Sequence, residues 1–340
     1  MVKPMSYQQM SDEQRKVLTN ATQVFEALEN ARRDDARFKG SMQWKTITGR
    51  DYLYRVLPGG VHRSLGRRSP ETERTQQAFE SGRDEHRQRS RSLVEQAKLH
   101  ASYVRANRLN RFPSTGARVV RALQRVGVPH RVIGTTALHV YEASAGVLFL
   151  PALLSTEDMD VLMDAGRGIK IAAKLEKRTL LSLLRDADKT FRRLTSSPFE
   201  FTATNEKGYR VDFVSQGSRV PAVERDFSRL LQDEDLKPVG IDSLKWLVSC
   251  PRFSGVVFDQ HGMPVRIETV DPRAFVLHKW HVSRREDRDP VKRRRDEAQA
   301  RLVAKVVATE LPHLGPGPAI CRLFPQEVSQ SFPHDDDLAV

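Results

Sequence analysis

The sequence predicts an α+β fold, in which a small mixed sheet is flanked by largely helical N-terminal and C-terminal regions. Three observations carry that expectation. Between Val132 and Leu162 a short apolar run, a Gly-Thr-Thr turn, an Ala-rich helical stretch and a second apolar run follow in order, as in a strand–turn–helix–strand unit. Tyr209 to Val214 alternates apolar and polar residues after the turn Asn205-Glu206-Lys207-Gly208, so Phe199 to Thr204 and Tyr209 to Val214 read as a hairpin. On both flanks, charged stretches repeat apolar residues at helical spacing.

Residues 11 to 36 give the first helix, with Ser11 and Asp12 as caps and Val17, Ala21, Val24, Phe25 and Leu28 as its apolar stripe. Gln43 to Ile47 reads as a short strand between Gly40 and Gly49. From Gly49 to Glu73 glycines, arginines and hydroxyls are mixed, the chemistry of an anion-binding loop. Ser69-Pro70-Glu71 then starts a long helix, with Pro at its first position, that runs to about Asn107. Its arginines track a phosphate backbone or are simply solvated. Ser114-Thr115-Gly116 opens a helix that Gly127 ends, directly before the core strand at Val132.

Beyond the core, Arg178 to Leu194 has helical spacing and Asp233-Glu234-Asp235 reads as an exposed acidic turn. Ser243 to Val248, Gly255 to Asp259 and Val265 to Val270 read as short strands. Pro272 and Asp289-Pro290 begin the last two helices, the second reaching about Glu310. The chain thus divides into an N-terminal helix (1–40), an Arg-rich helical region (41–127), the core (128–220), a C-terminal α/β and helical region (221–312) and a tail (313–340). With its Gly-Pro repeat and Asp335-Asp336-Asp337, the tail is expected to be disordered.

Composition narrows the function classes. The 340 residues suffice for a sizeable core, and no apolar run approaches a membrane span or a signal-peptide core. Cys250 and Cys321 lack metal-ligand spacing, which removes disulfide and zinc readings and makes a reducing cytoplasm the expected compartment. A net charge of +13 favours polyanionic partners such as a nucleoside triphosphate or nucleic acid, although an Arg-rich composition alone would give the same balance.

The candidate chemistry lies at Asp158-Met159-Asp160. In a strand both carboxylates share one face while Met159 and Val161 enter the core. Paired carboxylates repel unless a cation lies between them, and oxygen-only ligation suits Mg²⁺. Gly134-Thr135-Thr136, leading into a helix, offers N–H groups and hydroxyls to a phosphate. With 43 acidic residues, an acidic-x-acidic triplet arises by chance about five times, so Asp158-x-Asp160 alone is weak. The order phosphate turn, paired Asp, then a hairpin with an inward Asp212 is far more specific.

This order resembles the polymerase-β-like nucleotidyltransferase superfamily, whose pattern is a hydrophobic residue, Gly, a small residue, Asp-x-Asp and a later third carboxylate. Two departures stand out: Gly134-Thr135-Thr136 replaces the usual Gly-Ser or Gly-Gly, and the gap to Asp158 is long. The resemblance implies two Mg²⁺ ions on Asp158, Asp160 and Asp212, an NTP co-substrate, and β- and γ-phosphates held by Gly134, Thr135 and Thr136. The Ser64-Leu65-Gly66 block with Arg63, Arg67 and Arg68 looks like the N-terminal motif of a bacterial group of predicted nucleotidyltransferases, and the Gly-flanked setting of those arginines leads to the expectation that they face the active-site cleft. His278-Lys279 and the run Lys292 to Ala300 are similar to the C-terminal segment of that group and of abortive-infection-type nucleotidyltransferases. Lys279 would then bind triphosphate, with a Lys/Arg-Asp pair following.

The implied reaction moves a nucleoside monophosphate to an acceptor hydroxyl, on an RNA such as tRNA, a protein or a small molecule. Two alternatives remain on the sequence alone: a non-catalytic nucleic-acid-binding protein, and an interaction module on a nucleotidyltransferase fold. The first lacks any helix-turn-helix, zinc-finger or aromatic RNA-binding pattern, and the presence of all three carboxylates counts against the second.

Overall fold

The structure, a computed structural model, describes residues 7–175, 178–194, 201–217, 235–315 and 317–332. It divides into two compact units, residues 16–107 and residues 1–15 with 108–340. The first elements among the described residues are β1 (Tyr7–Gln9) and α1 (Asp12–Asp34). In the unit 16–107, α1 buries Val17, Ala21, Phe25, Leu28 and Ala31 along one stripe. The antiparallel strands β2 (Ser41–Ile47), β3 (Arg50–Leu57) and β4 (Val61–Arg67) follow, and then α2 (Pro70–Ala106). The stretch Gly49 to Glu73 is therefore not an open loop. Tyr52, Leu53, Tyr54 and Arg55 alternate between faces, and Gly59 and Gly60, both at positive φ, make the tight turn. A capping box starts α2: Ser69 Oγ accepts from Thr72 N–H at 3.3 Å and Thr72 Oγ1 from Ser69 N–H at 2.9 Å.

The other unit holds the larger sheet. Its elements are α3 (Ser114–Val126), β5 (Arg131–Ile133), a 3₁₀ turn (Gly134–Ala137), α4 (Leu138–Ala145), β6 (Val147–Phe149), α5 (Pro151–Leu154), β7 (Asp158–Met163), α6 (Gly168–Leu175) and α7 (Leu180–Ala187). After these come β8 (Arg192–Arg193), β9 (Thr202–Thr204), β10 (Arg210–Gln216), β11 (Val239–Ile241), α8 (Leu244–Ser249), β12 (Arg252–Phe258) and β13 (Pro264–Val270). Helices α9 (Pro272–Ser283), α10 (Pro290–Glu310), α11 (Pro318–Cys321) and α12 (Gln326–Ser331) complete it. The strand order is β5-β7-β10-β9-β8, with β11 parallel to β10. Val132, Met159, Val161, Val211 and Phe213 pack one face onto α3 and α7, while Ile133, Leu162 and Val214 join a second core with α4 and α8 to α10. The chain is α+β, as its periodicities predict.

Several local expectations give way to stronger local chemistry. The helix read from Arg178 to Leu194 ends at Ala187, because Asp188 Oδ1 accepts from Thr190 N–H at 3.0 Å and from its hydroxyl at 2.7 Å, an Asx-type turn. Ser243 to Val248 is not a strand: Leu244 and Leu247 are buried three residues apart, on one side of α8. The described part of the tail, residues 313–315 and 317–332, is ordered, since Ile320, Phe324 and Val328 recur every four residues and enter the second core. Asp335 to Asp337 lie outside the described residues, as do Phe199, Asp233 and Glu234. Asp235 is buried rather than exposed. No helix among the described residues is long and apolar enough to cross a membrane.

Asp235 Oδ2 accepts from Leu180 N–H at 2.8 Å, and Oδ1 accepts from Leu181 and Leu236 N–H at 3.0 and 2.7 Å. It therefore serves the first free donors of α7 from a distant point in the sequence. Asp235→Ala is expected to cost about 3 kcal/mol in urea unfolding, because two buried donors and a part-buried one lose their acceptor together. A loss below about 0.5 kcal/mol would show that α7 does not depend on this carboxylate.

Candidate active site

Strands β7 and β10 pair in parallel with Asp212 opposite Asp160 and Arg210 opposite Asp158. Paired residues share a face, as do residues two apart, so this register puts Asp158, Asp160 and Asp212 on one side of the sheet. Met159, Val161, Val211 and Phe213 are driven into the core on the other side. Farther along the carboxylate face, Leu162 and Val214 lie under the second core, so the acids occupy the end that this core leaves uncovered.

Burial is the main cause that pushes the Asp160 carboxyl up to about 7, and the charges of Asp158 and Asp212 add to it. Lys279 and Arg288 oppose the rise. Asp212 is also raised, first by burial and then by Asp158, against a hydrogen bond from Thr202 Oγ1 at 2.7 Å and the charges of Arg210 and Lys292. Thr156 donates its hydroxyl to Asp158 Oδ1. The two outer carboxylates are thus each engaged by a neighbouring hydroxyl. Among the described residues, no group of three or more His, Cys, Asp or Glu side chains is arranged to hold a metal ion. The donor chemistry nevertheless suits a hard divalent cation: the set is all oxygen, and its mutual repulsion is what a cation would relieve.

The turn at Gly134 has φ +68°, and a Cβ built there would collide with Asp160 Oδ2, so only glycine lets the turn lie against this carboxylate. Thr135 and Thr136 are buried, and their hydroxyls are used internally. Gln299 donates to Thr135 Oγ1 at 3.2 Å, and Thr136 donates to the Asp158 carbonyl at 3.2 Å. Both threonines brace the turn against α10 and β7.

Lys279 is a buried side chain on α9, not a surface lysine. Its Nζ donates to Asp296 Oδ1 at 2.6 Å, while Arg288 Nε and Nη2 hold Asp296 Oδ2 at 3.0 and 2.9 Å. Burial favours the neutral acid at Asp296, but the two cations outweigh it and keep the carboxyl below its ordinary range. Asp296 is completely buried, and Arg288 keeps a third of its side chain exposed. The partners Thr156, Thr202, Arg288 and Gln299 carry no motif. Asp296 had one usable signal: it shares the stripe of Gln299, Ala300, Val303 and Val306, so a charge on a helix's apolar face needed a buried partner.

Arg63, Arg67 and Arg68 belong to the unit 16–107 and do not converge on one another. Arg63 pairs with Arg55 on one face of the three-stranded sheet, and Arg67 pairs with Tyr52 on the opposite face. Arg68 bonds Glu73 at 2.8 Å and Asp51 at 3.4 Å and lies over the Trp44 ring.

The raised Asp160 carboxyl makes a signed prediction. A carboxyl that is harder to ionise when folded costs stability as pH rises from its ordinary range near 4 to about 7, and the full cost persists above that. In EDTA, Asp160→Asn should therefore melt with wild type near pH 4 and above it at pH 8, by an amount on the order of 1–2 kcal/mol after discounting for solvent. Equal melting at both pH values would refute the raised Asp160 carboxyl.

No curated protein and no solved structure matches this chain. A family model described as nucleotidyltransferase matches residues 114–315, more than half of the sequence. That span runs from the first residue of α3 through both aspartate strands to just beyond α10, and so takes in Gly134, Asp158, Asp160, Asp212, Lys279 and Asp296. The chain belongs to the nucleotidyltransferase family, and it is an enzyme of nucleotidyl transfer.

Proposed function

We propose that this nucleotidyltransferase uses Mg²⁺ and an NTP, and that Asp158, Asp160 and Asp212 form its catalytic and metal-binding set. The observation that carries the proposal is the Asp160–Asp212 register, which gathers three carboxylates on one sheet face beside the Gly134 turn. Two Mg²⁺ ions on these carboxylates would lower the pKa of the attacking hydroxyl and offset charge on the phosphates. Asp212, whose proton affinity burial raises, is the candidate to take the hydroxyl proton. The backbone N–H groups of Gly134, Thr135 and Thr136 would hold the β- and γ-phosphates.

Lys279 would act on the triphosphate from within its bridge to Asp296, with Arg288 as the more exposed cation of that network. The acceptor oxygen attacks the α-phosphorus in line, a new O–P bond forms, the α–β P–O bond breaks, and pyrophosphate leaves. This assignment needs no contribution from Arg63, Arg67 or Arg68. The acceptor is a hydroxyl on RNA, protein or a small molecule.

The decisive measurement is label transfer from each α-labelled NTP into lysate fractions. Asp158→Asn and Asp160→Asn should each lower transfer by roughly a thousandfold or more, because each removes a charge that several kcal/mol of transition-state stabilisation depends on. Mg²⁺ with NTP should raise the melting temperature of wild type but not of these variants. Near-normal turnover in either variant would remove the pair from the mechanism.

Lys279→Met separates two roles. Cutting a buried ion pair on one side should cost about 3 kcal/mol of stability. If Lys279 also serves the triphosphate, the folded variant should show a raised KM for NTP as well. A destabilised variant with unchanged KM would leave Lys279 a purely structural role.

A further inference from the structure

The three-stranded sheet of the unit 16–107 has two unlike faces. Helix α2 covers one: Trp44 Nε1 donates to Gln76 at 2.6 Å, the Arg55 guanidinium lies 3.8 Å from the Phe79 ring centre, and Leu53 is fully buried. The cross-strand pairs put a different set of side chains on the other face. Tyr52 lies between Lys45 and Arg67, Val56 is opposite His62, Tyr54 follows Tyr52 two residues along the same strand, and Arg50 precedes it by two. Arg50, His62 and Arg67 are exposed, and Lys45, Tyr52 and Tyr54 are half-buried.

We propose that this face binds single-stranded nucleic acid, with Tyr52 and Tyr54 as stacking surfaces for successive bases and Lys45, Arg50, His62 and Arg67 as contacts to the phosphate backbone. Charge complementarity selects the occupant. The only carboxylate in residues 41–68 is Asp51, which belongs to the α2 face and is held there by Thr46 and Arg68. Its absence leaves the tyrosine face with cations and no anion. Lys45 Nζ lies 5.2 Å from the Tyr54 ring centre and 3.1 Å from His62 Nδ1, so its charge is held directly over a potential stacking surface.

Aromatic rings interleaved with cations suit a strand that offers unpaired bases and phosphates together. A duplex, whose bases are already stacked on one another, cannot use the rings. An acidic protein would use the cations but leave two tyrosines side by side without a role. The site is independent of the nucleotidyl-transfer mechanism and is testable without NTP or Mg²⁺.

The test is fluorescence anisotropy of the full chain in EDTA, with a labelled mixed-sequence 12-nucleotide single strand, the same backbone made abasic, the matching duplex, and inorganic polyphosphate. The single strand should bind at least tenfold more tightly than the abasic strand or the duplex. Tyr52→Leu with Tyr54→Leu should weaken it about tenfold or more, while Tyr52→Phe with Tyr54→Phe should bind like wild type. Lys45→Ala with Arg67→Ala should lower the slope of log affinity against log salt by about 1.4, with the single-strand coefficient. Asp158→Asn should bind like wild type, so a failed catalytic assignment leaves this result unaffected. Equal affinity for the abasic strand, polyphosphate bound as tightly as the oligonucleotide, or a Leu pair that binds normally would overturn the proposal. Should the Leu pair unfold, the abasic and Phe comparisons still decide it.

Discussion

The parallel register of β7 with β10 is the constraint on which the catalytic unit depends. It holds three carboxylates on one face at a cost in burial and in charge repulsion, visible as the raised Asp160 and Asp212 carboxyls. A one-residue slip of either strand would turn its aspartates into the core and expose Met159 and Val161, or Val211 and Phe213. The apolar residues between the acids therefore fix the site as firmly as the acids define it. The buried alternation supplies the binding energy that lets the polar alternation remain strained.

Around that cluster, cations are metered rather than simply added. Lys279 and Arg288 both pull on Asp160, yet both are committed to the fully buried Asp296, so the trio presents one net positive charge to the carboxylates. A lysine left unpaired beside Asp160 would neutralise that carboxylate; Asp296 draws the charge away instead. The Gly134 turn adds no side chain of its own. It lies against Asp160 because it has no Cβ, and the hydroxyls of Thr135 and Thr136 pin it to α10 and β7.

How much of this could be read from sequence differs by element in a physically sensible way. The Asp158–Asp160 strand, the hairpin at Asp212, and the helices ended by Gly127 and Gly146 follow from local periodicity and αL caps, and all appear where the spacing puts them. What failed was decided at a distance or by competing side chains. The helix after Arg178 is cut short by Asp188 and Thr190, and Asp235 is buried because backbone donors of α7 lie far from it in sequence. The tail orders because Ile320, Phe324 and Val328 find a core that no local rule announces. At the candidate site, the clustering of Asp158, Asp160 and Asp212 on one sheet face follows from the strand periods, but the partners of these residues were not legible. Nothing in Lys279 alone reveals that it is buried on Asp296.

The arginine block shows why composition is a poor guide to geometry. Five of the net thirteen positive charges lie in residues 41–68, and the stretch from Gly49 to Glu73 reads from sequence as an anion-binding loop. Pleating divides them instead. Arg55 and Arg63 fall on the α2 side with Asp51, while Arg50 and Arg67 fall on the other side with Lys45. The single carboxylate goes with the packed side, where Arg68 and Thr46 satisfy it, and the open side keeps uncompensated charge around two aromatic rings. A period of two thus converts an undifferentiated basic run into one structural face and one face whose chemistry is that of recognition. The same period, in β7 and β10, separates core from carboxylates. In both units the alternation of the strand decides which charges the fold consumes and which it leaves to act.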